Sequence, residues 1–520
     1  MAKKIGAFEI VDIDLAGRIG RLHLRTATIE TPAFFPVVDP QRQEVPLDKI
    51  RDAGFHQIIT NAYLAYKRWG PTSRGIHGML NWRGAVMTDS GAYQILAYGD
   101  IDVDQETILR YQKKVLKPDI GVILDIPTGD VSRERAEYTV KETLRRAHLA
   151  LSVIDPTNDD ILWVLPVQGG RYVDLVERSA KQGSMLPYRM YGIGSPTVFL
   201  EKYRYDTIIK IIRAAKLHLN PARPVHLFGA GHPLILPYAV ALGIDTFDSA
   251  SYMLYARDDR YITPYGVYRL DELDYFPCAC PVCTRYTPAE LRELPKQERT
   301  RLLALHNLYV ISQTMRRIKQ AIREGRLWEL LQETARAHPA AARALQALRG
   351  SYRLLEASTP RVKPRRVKGL RAYAPESLWN PKILGYKARL LSEFLPGMLR
   401  HLKQAGITTI RLRPSLNPPD DCSTTREADE AIIFYAPYLG LIPETLCGTY
   451  PTIHIDYANI DDTVARDLSN TVITASIIAL KNHFRIIIEI NRRNRIGLEI
   501  LSRLSNISLY RDRLIVEHVG

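Results

Sequence analysis

The sequence predicts an α/β chain whose first part is a (β/α)8 TIM barrel carrying a zinc-binding insertion, followed by a smaller α+β accessory region. Three observations carry this. Between residues 31 and 250, short apolar, β-rich runs alternate with helix-like segments, and there are eight such runs. A cysteine-rich loop follows the eighth run. Beyond it, apolar periodicity fails and prolines appear near residues 351–371, marking a boundary.

In chain order the predicted strands are 33–38, 57–60, 85–88, 121–124, 162–167, 190–193, 225–228 and 245–247. Helical stretches between them include 105–115, 132–154 and 205–216. In such a barrel, functional groups stand at the carboxyl ends of the strands. Here those ends carry Asn61, Asp89, Asp125, Gln168, Gly194 with Ser195, Gly229 and Asp248. Three aspartates and a glutamine at strand ends predict a shared pocket. From 287 to 350 the pattern is helical, with Leu302, Leu305, Leu308, Ile311 and Met315 at core spacing. The predicted domains are 1–350 for the barrel, with the zinc subdomain at about 275–310, then a basic linker at 351–371 and an accessory region at 372–520. In the last, strands are expected at 408–412, 431–435 and 484–490, with helices at 382–395 and 464–480. No catalytic constellation is visible there.

Composition narrows the function classes. A chain of 520 residues, 46% apolar and 24% charged, reads as ordinary globular protein of about two to four domains. Basic residues number 71 against 56 acidic, a net charge of +15, which favours a polyanionic partner, nucleic acid first. One dense basic patch, 361–371, reads either as a phosphate contact or as a solvated linker. The longest apolar run, 472–480, is far short of a membrane span, and no signal peptide precedes the first strand-like alternation. Five cysteines form no disulfide framework, and a cytoplasmic location is expected.

Three of those cysteines, Cys278, Cys280 and Cys283, form a C-x-C-x2-C set completed by His306 on an amphipathic helical stretch. Three thiols and an imidazole make a closed tetrahedral set for one structural Zn²⁺ per chain. The alternative is a trio of buried thiols with a histidine nearby by chance, but the prolines at 277 and 281 suit a metal-wrapped loop. Cys422 and Cys447 are left over and are able to pair.

Paired carboxylates in one pocket suit substitution at an anomeric carbon. Asp89 and Asp248, on the third and eighth strands, can face each other across the barrel mouth. Asp125 and Gln168 can read the polar edge of a heterocyclic base, and Tyr93 and Phe228 can stack on its faces; both aromatics equally suit packing at the barrel rim.

The motifs Thr88-Asp89-Ser90-Gly91-Ala92-Tyr93-Gln94, Val167-Gln168-Gly169-Gly170, Leu227-Phe228-Gly229-Ala230-Gly231 and Phe247-Asp248-Ser249-Ala250-Ser251-Tyr252 occur in order with the zinc set. Together they resemble the tRNA-guanine transglycosylases, and the Asp-Ser-Ala-Ser-Tyr form and long C-terminal extension resemble the archaeal branch. The likeness is strong over about residues 5–345 and looser in the accessory region. It implies a pentosyltransferase that exchanges guanine at position 15 of the tRNA D-loop for 7-cyano-7-deazaguanine (preQ0), through a covalent aspartyl-ribose intermediate, in archaeosine biosynthesis. Carried over, Asp248 is the nucleophile and Asp89 the general acid/base. Ser90, Asp125 and Gln168 belong to the substrate site, Tyr93 and Phe228 sandwich the base, and the Ser195 N–H reaches its carbonyl oxygen. Cys278, Cys280, Cys283 and His306 are the zinc ligands, and Arg257 and Arg260 contact phosphate. The implied partners are tRNA, guanine and preQ0, with no membrane; family members commonly form homodimers.

Two departures stand out. Ser195-Pro196-Thr197 replaces a small residue and two valines, and Pro196 offers no N–H. No PUA-like strand cluster follows Arg511-Asp512-Arg513, so a separate PUA-type protein is one expected option. A non-catalytic tRNA-binding paralogue would be expected to lose the nucleophile or the thiols, and both are present. A barrel glycoside hydrolase accounts for Asp89 and Asp248 but not for the zinc set or the charge.

Overall fold

The computed structural model describes residues 4–39, 42–70, 74–92, 103–361, 369–415, 429–449, 451–452, 455–504, 510 and 512–519. The chain divides into two compact units, Met1–Arg323 with Glu333–Ser358, and Glu324–Gln332 with Thr359–Gly520.

In the first unit, β1 (Phe8–Asp14), β2 (Gly17–His23) and β3 (Thr28–Thr31) form an antiparallel meander. The barrel strands follow: β4 (Ala33–Pro36), β5 (Gln57–Asn61), β6 (Ala85–Asp89), β7 (Ile120–Val122), β8 (Leu162–Val167), β9 (Met190–Ile193), β10 (Val225–Leu227) and β11 (Thr246–Ser249). They pair in parallel in the order β4-β11-β10-β9-β8-β7-β6-β5, and a parallel bridge between Val37 and Ile59 closes the ring. All eight predicted runs are strands. The barrel interior is filled by alternate residues such as Phe35, Ile59, Ala85, Met87, Val122, Val164 and Met190. Leu22, Leu24 and Ile29 of the meander plug its lower end. The strand-like alternation at the N-terminus belongs to this meander.

The stretch predicted helical at 105–115 is an α-helix, Gln105–Tyr111, ending in a π turn, Gln112–Leu116. Gln112 is fully buried there; it accepts from Thr88 Oγ1 at 2.6 Å and donates to the Val122 carbonyl at 3.1 Å, joining β6 to β7. After the barrel come a hairpin, β12 (Arg260–Thr263) with β13 (Gly266–Arg269), the cysteine loop, and the long helix Lys296–Glu324. That helix buries Leu303, Leu308, Ile311 and Met315, while Leu302 and Leu305, expected in the core, are only half-buried. The face is rotated because His306 and Asn307 point inward and fix its phase.

In the second unit, β14 (Leu370–Ala372), β15 (Thr409–Pro414), β16 (Glu430–Ala436), β17 (Gly440–Pro443), β18 (Ile455–Tyr457), β19 (Arg485–Ile490) and β20 (Leu514–His518) form two sheets. One is the parallel pair β14-β18; the other has the order β17-β16-β15-β19-β20, with only β17 antiparallel. Helices Asp462–Lys481 and Arg495–Arg503 pack on one face through Leu468, Val472, Ile496 and Ile500. Residues 362–368, most of the basic patch, lie outside the described residues, as does Cys422. Cys447 is disulfide-bonded. Among the described residues, no helix is long and apolar enough to cross a membrane.

The meander is tied to the barrel by a buried ion pair. Arg18 Nε donates to Asp245 Oδ1 at 2.9 Å, and Asp245 also accepts from Val225 N at 2.8 Å. Both partners are almost fully buried. Arg18→Met leaves the carboxylate buried without its cation, so unfolding free energy at neutral pH should fall by about 3–5 kcal/mol in denaturant titration. A loss within about 0.5 kcal/mol, the range of ordinary surface changes, would show that the pair does not hold the plug.

Candidate active site

A strand turns alternate side chains to opposite faces. With Ala85 and Met87 inside the barrel, Asp89 falls on the inner row at its mouth. The same parity carries Ile59 to Asn61, Val164 to Gln168, Met190 to Gly194, and Thr246 to Asp248. These residues line one cavity of about 450 Å³, together with Asp125, Ser195 and Phe228.

Asp89 accepts from Asn61 Nδ2 at 3.1 Å. Burial, then the nearby charges of Asp125 and Asp248, push its carboxyl up to about 7. Burial likewise raises Asp125, to about 6, against the opposing effect of its hydrogen bond from Gln168. Gln168 is almost fully buried. Its Oε1 accepts from Thr128 N at 3.1 Å, Thr128 Oγ1 at 3.2 Å and Ser195 Oγ at 2.9 Å, while Nε2 donates to Asp125. That saturates the carbonyl and fixes the amide with its N–H groups toward the carboxylate. Gly194 permits it: a Cβ there would stand 2.2 Å from Gln168 Nε2.

Asp248 uses Oδ1 to accept from Gly229 N at 2.8 Å and from His226 Nε2 at 3.0 Å. Gly229 sits at φ 68°, and a Cβ there would meet Thr197 Cγ2 at 2.3 Å, so the turn that aims this N–H needs glycine. Phe228 lines the cavity with its ring 4.5 Å from that of His226.

The structure thus brings together Asp89, Asp125, Gln168, Ser195, Phe228 and Asp248. Ser90 does not line that cavity; it is fully buried and its hydroxyl donates to the Ile123 carbonyl at 3.2 Å. Tyr93 lies outside the described residues. Arg257 is exposed and paired with Glu44 at 2.9 Å, and Arg260 lies over the Tyr255 ring at 5.5 Å. His226, Thr128 and Asn307 were not anticipated as site residues.

The donor atoms of Cys278, Cys280, Cys283 and His306 all lie within 4.8 Å of one another, a group able to hold a metal ion. His306 Nδ1 is 3.5 Å from Cys280 Sγ and 3.3 Å from Cys283 Sγ. Its Nε2–H donates to the Ile262 carbonyl at 2.9 Å, which leaves Nδ1 unprotonated toward the thiols. Three sulfurs and one nitrogen in this arrangement suit a tetrahedral soft-metal site. Neighbouring Asn307, fully buried, accepts from Ile262 N at 2.8 Å and donates to the carbonyls of Tyr252 at 3.1 Å and Arg260 at 3.2 Å. One helical turn thereby holds the metal cluster, the hairpin and the segment after Asp248.

The family model described as queuine tRNA-ribosyltransferase matches residues 14–340. Similar proteins include the tRNA-guanine(15) transglycosylase of Aeropyrum pernix, 56% identical over 86% of this chain and 87% of the relative. That of Saccharolobus solfataricus is 44% identical over 95% of this chain and 98% of its own length. That of Pyrococcus furiosus is 48% identical over 68% of this chain and 61% of the relative.

Asp89 and Asp125 bind protons more tightly folded than unfolded. Their contribution to stability is therefore full below the unfolded range and is lost as pH rises through about 6 for Asp125 and about 7 for Asp89. Asp89→Asn removes its share of that loss. Its melting temperature relative to the parent should rise between about pH 5 and about pH 8. A difference that does not change with pH would show that the carboxyl is not raised.

Proposed function

The chain belongs to the queuine tRNA-ribosyltransferase family, and from that membership we infer that its barrel mouth exchanges guanine in tRNA, at position 15 of the D-loop, for preQ0 on the way to archaeosine. The observation that carries this reading is the cavity in which Asp89, Asp125, Gln168 and Asp248 converge. The identities of 42–56% with tRNA-guanine(15) transglycosylases over at least 86% of this chain support the choice of base position.

We assign the steps as follows. The Asp248 carboxylate attacks the ribose C1′; the C1′–N9 bond breaks and its electrons leave with guanine. Asp89, raised to about 7 and so half-protonated near neutrality, gives the departing base its proton. In the return step Asp89 takes the N9 proton of preQ0 as the new C1′–N9 bond forms and Asp248 is released. Asp125 accepts from the base's N–H donors, Gln168 Nε2 and the Ser195 N–H face its carbonyl oxygen, and Phe228 covers one face, with Tyr93 assigned to the other.

Cys278, Cys280, Cys283 and His306 would hold one zinc per chain. With four protein ligands the ion has no open position for substrate, so it supplies stability only. Residues 372–520 would add tRNA contacts, consistent with a net charge of +15. The cytoplasm suits both the tRNA substrate and the reduced ligand thiols.

Labelled guanine should exchange into unmodified tRNA, and preQ0 should replace it. Asp248→Asn should lower exchange by at least about a thousandfold while tRNA still binds. An adduct that maps to Asp89 instead would reverse the two roles.

Elemental analysis should find one zinc per chain. Cys280→Ala should lose the metal, melt earlier and weaken tRNA binding, since the helix bearing His306 also holds the backbone beyond Asp248. Normal folding and turnover in a metal-free chain would refute the structural assignment.

A further inference from the structure

One buried titratable group stands against the site without lining the cavity. His226 is fully buried on β10, opposite Thr246 on β11 and one layer below Asp248. Its ring lies between those of Phe35, at 6.4 Å and 78°, and Phe228, at 4.5 Å and 67°. Its two nitrogens are both engaged: Nδ1 with Thr246 Oγ1 at 2.9 Å and Nε2 with Asp248 Oδ1 at 3.0 Å. A carboxylate oxygen only accepts, so Nε2 carries a proton and Nδ1 of the neutral ring takes the Thr246 hydroxyl. The Thr246 hydroxyl, able to give or take a bond, completes the ring's partners while the carboxylate sets the tautomer.

We propose that His226 is a positioning residue that holds Asp248 as a carboxylate and speeds its departure from the ribose. The inference rests on the assignment of Asp248 as nucleophile. His226 Nε2 and the Gly229 N–H both converge on Oδ1, so Oδ2 is the oxygen left for C1′. In the ester intermediate Oδ1 is a neutral carbonyl oxygen and accepts only a weak bond. As the C1′–Oδ2 bond breaks, its electron pair returns to Asp248; the C1′–N9 bond to the incoming base forms and the N9 proton passes to Asp89. Charge then reappears on the Asp248 carboxylate, and both donors strengthen. His226 keeps its own proton throughout. Its bond favours the free carboxylate over the ester, so it restrains attack slightly and accelerates breakdown.

That asymmetry gives a test. His226→Phe and His226→Gln are purified beside the parent chain, checked for metal content and melting temperature, and loaded with unmodified tRNA without an incoming base. The denaturation-resistant adduct is quantified, mapped, and chased with preQ0. His226→Phe should form adduct at least as fast as the parent but release it about tenfold more slowly, the size of a lost hydrogen bond to a charged group. kcat and KM for tRNA should fall together, leaving kcat/KM for tRNA unchanged. His226→Gln, which retains an N–H donor, should recover most of the release rate. Release at the parent rate in His226→Phe overturns the proposal. So does an equal loss of formation and release with no recovery in His226→Gln, which would mark a purely structural residue. If the parent chain's own adduct is absent or maps away from Asp248, the nucleophile assignment fails and this inference falls with it.

Discussion

Three carboxyl groups share the barrel mouth, and water is largely excluded from two of them. Asp89 carries the heaviest penalty, because burial raises it and the charges of Asp125 and Asp248 raise it further. The surrounding donors divide the burden unevenly. Asp248 receives an imidazole N–H and a backbone N–H on one oxygen. Asp125 receives the Gln168 amide. Asp89 has the Asn61 amide but feels both other carboxylates, and it is the one pushed to about 7. The Asp89 and Asp125 carboxyls thus titrate at different points of the pH scale, a separation set by environment and not by residue type.

Much of this was legible in the sequence because a barrel strand has period two. Ala85, Met87 and Asp89 share a face, so an interior row that ends in aspartate announces a polar mouth. The next residue along the chain, Ser90, is buried with its hydroxyl on the Ile123 carbonyl. Other features are tertiary and leave no local signature. Thr128 and Ser195 meet on the Gln168 carbonyl from separate loops. His226 sits in the run Val225–Leu227, where its neighbours read only as strand core. The meander that plugs the lower end has ordinary strand alternation; nothing in it indicates which surface it will cover.

The metal cluster illustrates the same division. Spacing predicted that Cys278, Cys280, Cys283 and His306 would gather, but not why a group able to hold a metal lies so near the barrel mouth. The answer is Asn307, next to His306 on one buried turn. Its three hydrogen bonds reach β12 and the Tyr252 carbonyl just beyond Asp248. The helix that turns His306 toward the three thiols therefore also fixes the exit path of β11. The rotated core face of that helix, with Leu303 buried in place of Leu302, is the packing consequence.

Ser195 brings backbone strain and recognition together. At φ 61° it occupies the left-handed region, which costs a side-chain-bearing residue about 1–2 kcal/mol. Its hydroxyl bond to Gln168 Oε1 at 2.9 Å returns an amount of the same order. The turn is held at small net cost, and the Gln168 carbonyl is saturated. In the site proposed above, what remains to face a base is the Gln168 N–H beside the Asp125 carboxylate, a donor next to an acceptor. Guanine presents the complement, a carbonyl oxygen next to N–H donors. Adenine presents an amino group and a bare ring nitrogen, which sets donor against donor and lone pair against lone pair. With the amide unable to flip, that mismatch leaves buried polar groups unpaired, the circumstance in which a site discriminates most strongly between similar ligands.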